Sequence, residues 1–173
     1  MNMTIKNTIE KLPPFNMLIY KDSFVSGDSQ SDIKIQYYFD HENGHFYSKV
    51  FFTSKTQGPP QHVHGGAISA VLDETMGAAA WLNGYTAITT HLSVNFIKPI
   101  KLNSELFVEA WIENIEKKKV FIKSKMIGDN NITYAESDGV FRILSLPLLR
   151  KMGELLPDYF KNIEDELHII FKR

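Results

Sequence analysis

Residues 64–84 read HGGAISAVLDETMGAAAWLNG, and they form the strongest helical pattern in the interior of the chain. Apolar residues recur three or four positions apart, which predicts a helix from Gly65 to Leu82. Asn83-Gly84 then ends it, because glycine adopts the left-handed backbone of a helix C-terminus without strain. The predicted core-facing stripe consists of Ile68, Val71, Leu72, Thr75, Ala79 and Leu82.

The remaining faces of this helix carry glycine, alanine and serine instead of lysine and glutamate, so the helix is predicted to be enclosed on most sides. Two carboxylates, Asp73 and Glu74, nevertheless lie at its middle. By helical spacing Asp73 shares its face with Ser69, Met76, Gly77 and Ala80. A carboxyl group there should have a raised pKa, as catalytic acids, bases and nucleophiles do. Close packing around a hydrogen-bonded Asp73 would give the same pattern, and Glu74 is interpreted as structural.

The segments around the helix have the alternation of β-strands. A first strand contains Ile33, Ile35, Tyr37 and Phe39, and the turn signal Asn43-Gly44 leads into a second at His45–Ser54. Four longer β-like runs follow the helix: Tyr85–Lys98, Leu106–Glu116, Val120–Ile127 and Ile132–Leu144. Two strands, one helix and four consecutive strands exclude a doubly wound α/β protein. They predict an α+β fold in which an antiparallel sheet packs on one helix.

Three segments are expected along the chain. Residues 1–30 contain Pro13-Pro14 and a polar stretch, and are predicted to be an N-terminal extension with weak local order. Residues 31–146 form the sheet-and-helix domain. Residues 147–173 have helical spacing of apolar side chains, which predicts a C-terminal amphipathic helix that covers the sheet or contacts another subunit.

Composition narrows the class of protein. The chain has 173 residues and a formal net charge of −1, which argues against a nucleic-acid binder or a polybasic membrane adaptor. It contains no cysteine, which excludes disulfides, thiolate nucleophiles and cysteine-ligated metal sites. No secretory signal or membrane-spanning run is recognisable. A soluble, cytoplasmic, single-domain enzyme or binder is therefore predicted.

Three motifs stand in a definite order: His64-Gly65-Gly66-Ala67-Ile68, Val71-Leu72-Asp73-Glu74, and Val94-Asn95-Phe96-Ile97-Lys98-Pro99-Ile100. Over about residues 45–145 the sequence resembles the hotdog-fold acyl-CoA thioesterases, and most of all their PaaI-like and THEM4-like branch. The resemblance implies a hotdog fold, a curled antiparallel sheet wrapped around one long central helix. It also implies an acyl-CoA substrate, a place in lipid metabolism, and a homodimer or dimer of dimers.

The resemblance further implies residue roles. Asp73 matches the catalytic carboxylate, acting as nucleophile or as general base toward water, and Gly65 matches the residue whose backbone N–H polarises the thioester carbonyl. Thr89 matches a residue that positions the carboxylate or the water. Asn95 matches a contact to acyl-CoA. Relatives carry a basic residue where this chain has Ile97. The neighbouring Lys98 is the candidate for that CoA contact, although it points to the other side of the strand by parity.

Elementary geometry leads separately to a second chain. From Gly65 to Asp73 is eight residues, or about 12 Å at about 1.5 Å per residue. An oxyanion donor and a nucleophile must both lie within about 3 Å of the reacting group. One helix cannot satisfy both, so we expect an antiparallel helix pair about a two-fold axis to assemble each site from two subunits.

The residues near this site need separate interpretation. His64 is expected to orient its loop through a ring hydrogen bond, with a direct catalytic part as the alternative, and Gly66 to let a ligand approach the backbone. Alternation places Thr89, His91, Ser93 and Asn95 on one strand face, opposite Leu92, Val94 and Phe96. The three histidines His62, His64 and His91 lack acidic or cysteine ligands at suitable spacing, so no metal is predicted.

Lys117-Lys118-Lys119 lies between two predicted strands, at a hairpin tip. Such a run is commonly just solvated, but the resemblance implies that Lys118 and Lys119 contact CoA phosphates.

The function predicted from the sequence is hydrolysis of an acyl-CoA thioester to a free carboxylate and CoA, with no metal or redox cofactor. Two alternatives remain: a non-catalytic acyl-CoA-binding hotdog protein, and a hotdog acyl-thioester dehydratase or hydratase. The dehydratase and hydratase motifs differ from the sequence around Gly58-Pro59-Pro60, and Asp73 argues against loss of catalysis. The acyl group itself is not specified by the sequence.

Overall fold

The computed structural model describes residues 5–15, 23–25, 32–129, 131–145, 147–148 and 151. Its long helix, α2, spans Gly65–Leu82, as the sequence predicts. A short helix, α1, spans Ile5–Ile9. The strands are β1 (Pro14–Phe15), β2 (Ile33–Phe39), β3 (Phe46–Phe52), β4 (Ala87–Phe96), β5 (Glu105–Glu116), β6 (Lys119–Ile127) and β7 (Thr133–Ile143).

The strands form one curled antiparallel sheet in the order β1-β2-β3-β5-β6-β7-β4. β2 and β3 make a hairpin, and β5, β6 and β7 make a meander. β4 follows α2 and pairs only with β7 among the strands that the structure describes, so it forms an edge of the sheet. The α+β hotdog architecture predicted from the sequence is confirmed.

The inner face of the sheet wraps around α2. Every residue of the predicted apolar stripe is buried, and Thr75 is accommodated there because its hydroxyl bonds to Ser48 and to the carbonyl oxygen of Val71. Met76 and Ala80, which helical spacing placed beside Asp73, also belong to the core. Ser69 and Gly77 remain partly exposed, so the open part of the Asp73 face is narrower than the sequence suggests.

The β2–β3 turn and the end of α2 stabilise each other. Asn83 ends the helix, and its side-chain amide donates to the carbonyl oxygens of Ala79 and Gly44, both at 2.8 Å. Gly44 has φ +74°, and a Cβ there would lie 2.6 Å from Asn83 Oδ1. The turn predicted at Asn43-Gly44 therefore requires glycine for its backbone conformation and for this close contact.

Residues 5–15 are more ordered than the composition of the N-terminal segment predicts. Within residues 5–15, α1 packs on the outer face of the sheet and β1 pairs with β2. Ile5 and Ile9 are buried there against Phe107 and Ile127, which the sequence of the segment alone could not reveal.

The predicted C-terminal amphipathic helix, apart from residues 147–148 and 151, lies outside the described residues. In the part of the chain that is described, no helix combines the length and apolar character needed to cross a membrane.

Away from α2, the outer face of the sheet carries a charged cluster around Glu109. His45 Nδ1 lies 2.8 Å from Glu109 Oε1, and Lys125 Nζ lies 2.8 Å from Oε2. Tyr47 donates its hydroxyl to Oε1 at 3.2 Å, and Lys125 also lies over the ring of Trp111. Burial alone would raise the pKa of Glu109, but hydrogen bonds from His45 and Lys125 together with their charges lower it to about 2.

This cluster predicts a specific loss of stability in acid. A carboxyl whose pKa is lower in the folded state stabilises the fold above its unfolded pKa of about 4.5, and this contribution disappears as the pH falls toward 2. At about 1.4 kcal/mol per pKa unit, the contribution of Glu109 is about 3 kcal/mol. Urea denaturation of wild type between pH 5 and pH 2 should show this loss, and Glu109→Gln should lack it.

The matched control is Glu105→Gln, which removes a carboxylate from the more exposed pair with Lys49. Because an exposed ion pair contributes little, this variant should keep the wild-type dependence of unfolding free energy on pH. An unchanged acid dependence in Glu109→Gln would contradict the assignment.

Candidate active site

Asp73 and Thr89 form the centre of the candidate site. Asp73 lies on α2 and Thr89 near the start of β4, and Thr89 donates its hydroxyl to Asp73 Oδ1 at 2.8 Å. Burial raises the pKa of Asp73 above its ordinary value, and the hydrogen bond from Thr89 offsets only part of that rise. The direction of this pKa shift is the one expected from the surroundings of Asp73 in the sequence.

A β-bulge places Thr89 toward the helix. The pairing of β4 with β7 shifts between Thr89 and His91, and Thr90 donates its hydroxyl to the carbonyl oxygen of Val140 at 2.9 Å. The bulge reverses the alternation, because it inserts one extra residue into β4. The sequence-based prediction of a single face shared by four residues is therefore wrong: Thr89 faces α2, whereas the exposed His91, Ser93 and Asn95 lie on the outer face.

A cavity of about 460 Å³ opens beside the Asp73–Thr89 pair. Small residues of α2, Ala70 and Gly77, form its floor, and the rings of Trp81 and Phe141 border it. Residues 23–25 form another part of its lining. The cavity therefore gives a mostly apolar ligand room next to a carboxylate.

The N-terminus of α2 presents one free donor. His64 is the N-cap, and its ring Nδ1 accepts the backbone N–H of Gly66 at 2.9 Å. Among the residues described, none accepts a hydrogen bond from the N–H of Gly65. The orienting role expected of the His64 ring agrees with this geometry. Because the same bond occupies the N–H of Gly66, Gly66 offers a ligand close approach to its backbone. The donor that remains available is the N–H of Gly65.

The predicted basic contacts do not surround Asp73 within one chain. Lys118 and Lys119 are exposed at the tip of the β5–β6 hairpin, near the start of β4. Lys98 is exposed just beyond the opposite end of β4. Sequence reasoning missed Arg142, which lies on β7 directly between Ile88 and Lys119. Its position depends on strand pairing, which the sequence does not display.

The histidines have other partners or exposed positions. His62 Nδ1 lies 2.9 Å from the carbonyl oxygen of Pro60, and His91 is exposed on the outer face. Over the described part of the chain, no three histidine or acidic side chains lie close enough to hold a metal ion.

Glu74 points away from Thr89, around the helix from Asp73. Tyr37 donates its hydroxyl to Glu74 Oε1, and Ser23 donates to Oε2. These bonds agree with the structural interpretation of Glu74. Glu74 also borders the same cavity as Asp73, which the sequence did not indicate.

A curled antiparallel sheet around one long helix defines the hotdog class of proteins, and solved structures share it. The thioesterase superfamily protein RHA08564 superposes with a TM-score of 0.65 at 21% identity, covering 79% of this chain and 72% of that one. The PaaI protein of E. coli, from the phenylacetic acid degradation operon, superposes with a TM-score of 0.58 at 18% identity, covering 65% of this chain and 80% of that one.

The sequence comparisons are more specific. Residues 60–133 match the family model described as the thioesterase superfamily. The acyl-coenzyme A thioesterase THEM5 of Homo sapiens is 33% identical over 94 residues, 54% of this chain and 38% of that protein. THEM4 of Mus musculus, also an acyl-coenzyme A thioesterase, is 36% identical over 86 residues, which cover 49% of this chain and 37% of that protein. The resemblance to the hotdog-fold acyl-CoA thioesterase superfamily is confirmed, although the matches span under two fifths of these two relatives' lengths.

Proposed function

We propose that this chain is an acyl-CoA thioesterase that hydrolyses R–CO–S–CoA to a free carboxylate and CoA. The observation that carries the proposal is the Asp73–Thr89 hydrogen bond at the edge of the cavity, with the pKa of Asp73 raised by burial. The names of the THEM4 and THEM5 relatives support the substrate class.

Asp73 can act in either of two ways. As a general base, it takes a proton from water while the water oxygen bonds to the thioester carbon; as a nucleophile, its own oxygen bonds to that carbon first. In both cases the C–S bond breaks and CoA leaves as the thiol after protonation. The general-base route gives the free carboxylate directly, whereas the nucleophile route leaves an acyl–Asp73 anhydride, which water then cleaves to the free carboxylate and regenerated Asp73. A raised pKa makes the ionised carboxylate a stronger base, and Thr89 fixes one of its oxygens.

The developing oxyanion needs a donor, and the N–H of Gly65 is the one available at the start of α2. It lies eight residues from Asp73 along one continuous helix, about 12 Å away at the ordinary helical rise. A second copy of the chain would supply it. We therefore propose an active site made from Asp73 and Thr89 of one subunit and Gly65 of the other.

Among the described strands, the edge of β4 that faces away from β7 is unpaired, which supports this pairing. β4 is ten residues long, and Ile88, Phe96 and the adjoining Ile97 expose 47%, 51% and 42% of their surface. A long edge strand with exposed apolar residues at both ends favours addition of another strand. Phe96 lies against Gly65, whereas Thr89 contacts Asp73, so α2 and β4 run antiparallel. Two β4 strands paired antiparallel about a point near Leu92 would bring Phe96 and Gly65 of one subunit to Thr89 and Asp73 of the other.

Basic residues in this dimer would surround the site from both chains. Lys118, Lys119 and Arg142 lie near the start of β4, and the same pairing would bring Lys98 of the other subunit toward that end. We propose these four as contacts for the CoA phosphates. Asn95 faces outward, so its contact would be with the part of CoA that lies on the outer side of the sheet.

The experiment that tests the function is a CoA-release assay with acetyl-, hexanoyl-, palmitoyl- and phenylacetyl-CoA. Wild type should release CoA from at least one of them with saturable kinetics. Binding of all four without release would contradict the proposal and favour a non-catalytic acyl-CoA-binding protein. Hydration of an enoyl-CoA without CoA release would favour the hydratase alternative.

Thr89→Val should alter the pH dependence of the reaction. Valine has nearly the same shape but no hydroxyl, and because the bond from Thr89 stabilises the ionised carboxylate, its loss raises the pKa of Asp73 further. The acidic limb of kcat/KM should move to higher pH. Loss of a hydrogen bond to a charged group should also lower the plateau about tenfold.

The matched control is Thr90→Val, next along the strand, whose hydroxyl bonds to a backbone carbonyl and not to Asp73. Its acidic limb should coincide with that of wild type. If the acidic limb of kcat/KM for Thr89→Val coincided with that of wild type, the role given to Thr89 would be contradicted.

A further inference from the structure

Glu74 connects two parts of the chain that the proposed reaction does not use. Its carboxylate accepts one hydroxyl from Tyr37 on β2 and another from Ser23, which lies in the N-terminal region. Asp73 and Glu74 are neighbours on α2 and point in directions about 100° apart. One carboxylate therefore faces β4 and the reaction, while the other faces β2 and residues 23–25.

Residues 23–25 are fixed at both ends. Ser23 bonds to Glu74 and accepts the backbone N–H of Val25 at 3.1 Å. Val25 is only 5% exposed and packs in the core that also contains Ile68 and Leu72 of α2. These contacts hold the tripeptide against the helix, next to the cavity of Asp73.

Phe24, between these two anchors, is 88% exposed and yet lines the cavity. A phenyl ring exposed to water at a cavity that Trp81 and Phe141 also line is unfavourable unless something apolar covers it. An acyl chain that extends from a thioester carbon near Asp73 into the cavity would supply that cover.

We propose that residues 23–25 form a wall of the acyl-binding cavity, with Phe24 contacting the distal part of the acyl group. Glu74 is the positioning residue that holds this wall through Ser23. The inference rests on the proposed thioesterase site and adds its specificity: acyl groups long enough to reach Phe24 bind better than short ones.

The test uses S-butyl-CoA and S-dodecyl-CoA, thioethers that lack the thioester carbonyl and cannot be hydrolysed at sulfur. Calorimetry then measures affinity independently of catalysis. Wild type should bind the dodecyl compound more tightly. In Phe24→Ala, the ratio of dodecyl to butyl affinity should fall about tenfold, because most of the apolar contact area of one ring is lost. Phe24 is exposed, so this substitution should not impair folding.

The control is Ile132→Ala, which truncates another exposed apolar residue, 36% exposed and outside this cavity. It should leave the affinity ratio within twofold of wild type.

Glu74→Gln and Ser23→Ala test the positioning role. Each should lower the same ratio in the wild-type background and lower it no further when combined with Phe24→Ala, because both act through that ring. A merely structural role for Glu74 would instead weaken the binding of both ligands equally, and the affinity ratio would then stay unchanged both in the wild-type background and in Phe24→Ala.

An unchanged ratio in Phe24→Ala, or no binding of either thioether to wild type, would overturn the inference. Failure of the proposed function would give a different result. A wild type that shows the expected affinity ratios but releases no CoA from acyl-CoA substrates would contradict hydrolysis. It would still support residues 23–25 as a wall of the acyl-binding cavity.

Discussion

Asp73→Asn is expected to lower kcat for CoA release by about 10³-fold or more, because the amide can neither take a proton from water nor attack the thioester carbon. The side chain keeps its shape and its acceptor oxygen for Thr89, whose hydroxyl now lies 2.8 Å from Oδ1. KM should therefore change far less than kcat. The measurement is steady-state CoA release with the best substrate of the panel.

Stability should change in the opposite direction from activity. The pKa of Asp73 is raised in the folded state, so its ionisation favours the unfolded chain once the pH exceeds the unfolded pKa. Asp73→Asn should thus be at least as stable as wild type at pH 7, with the difference disappearing in acid. A catalytic carboxylate kept at the expense of stability would show this combination.

Asp138→Asn is the matched control, since it makes the same chemical change at an exposed position on β7. It should release CoA at the wild-type rate. If Asp73→Asn retained a tenth or more of wild-type kcat, Asp73 would be neither base nor nucleophile.

The sequence predicts α2 to the residue because two independent signals agree there. The apolar stripe has the helical period, and Asn83-Gly84 ends it through a specific backbone conformation and side-chain bond. The strands after the helix are predicted within a few residues for similar reasons: apolar residues alternate wherever one face is buried.

The bulge in β4 cannot be predicted from the sequence in the same way. Residues 88–91 read ITTH, and three consecutive polar residues give no apolar alternation from which to set a register. The register is instead fixed by pairing with β7 and by the bond from Thr90 to Val140. The family resemblance indicates Thr89, but the faces on which its neighbours lie depend on that register.

The placement of residues 23–25 cannot be predicted from the sequence for a different reason. Their partner Glu74 is distant in the chain, and local sequence preferences do not predict a bond between a serine and a carboxylate 51 positions away. What the sequence does show is a second acid, Glu74, beside the proposed catalytic one, and only the tertiary structure reveals which groups Glu74 holds.

The second large effect is complementation between two inactive variants. Gly65→Pro should remove the proposed oxyanion donor while keeping the helix, because proline is favoured at the first helical position. His64 already has φ −65° and ψ 135°, the extended backbone that a following proline requires. Loss of one oxyanion donor should lower kcat about 10²- to 10³-fold. Gly65→Ala is the control, since it keeps the N–H and also places a Cβ about 3.3 Å from Phe96.

Asp73→Asn and Gly65→Pro subunits, unfolded together and refolded as an equal mixture, should regain about a quarter of wild-type activity. Half of the dimers formed at random are mixed, and each mixed dimer has one site that combines the intact Asp73 of one subunit with the intact Gly65 of the other. Its second site carries both defects. Refolding Asp73→Asn with the double variant Asp73→Asn/Gly65→Pro should restore nothing, because no intact Asp73 is present. If each site lay within one chain, every subunit of the first mixture would keep its own defect, and activity would stay at the mean of the two inactive proteins.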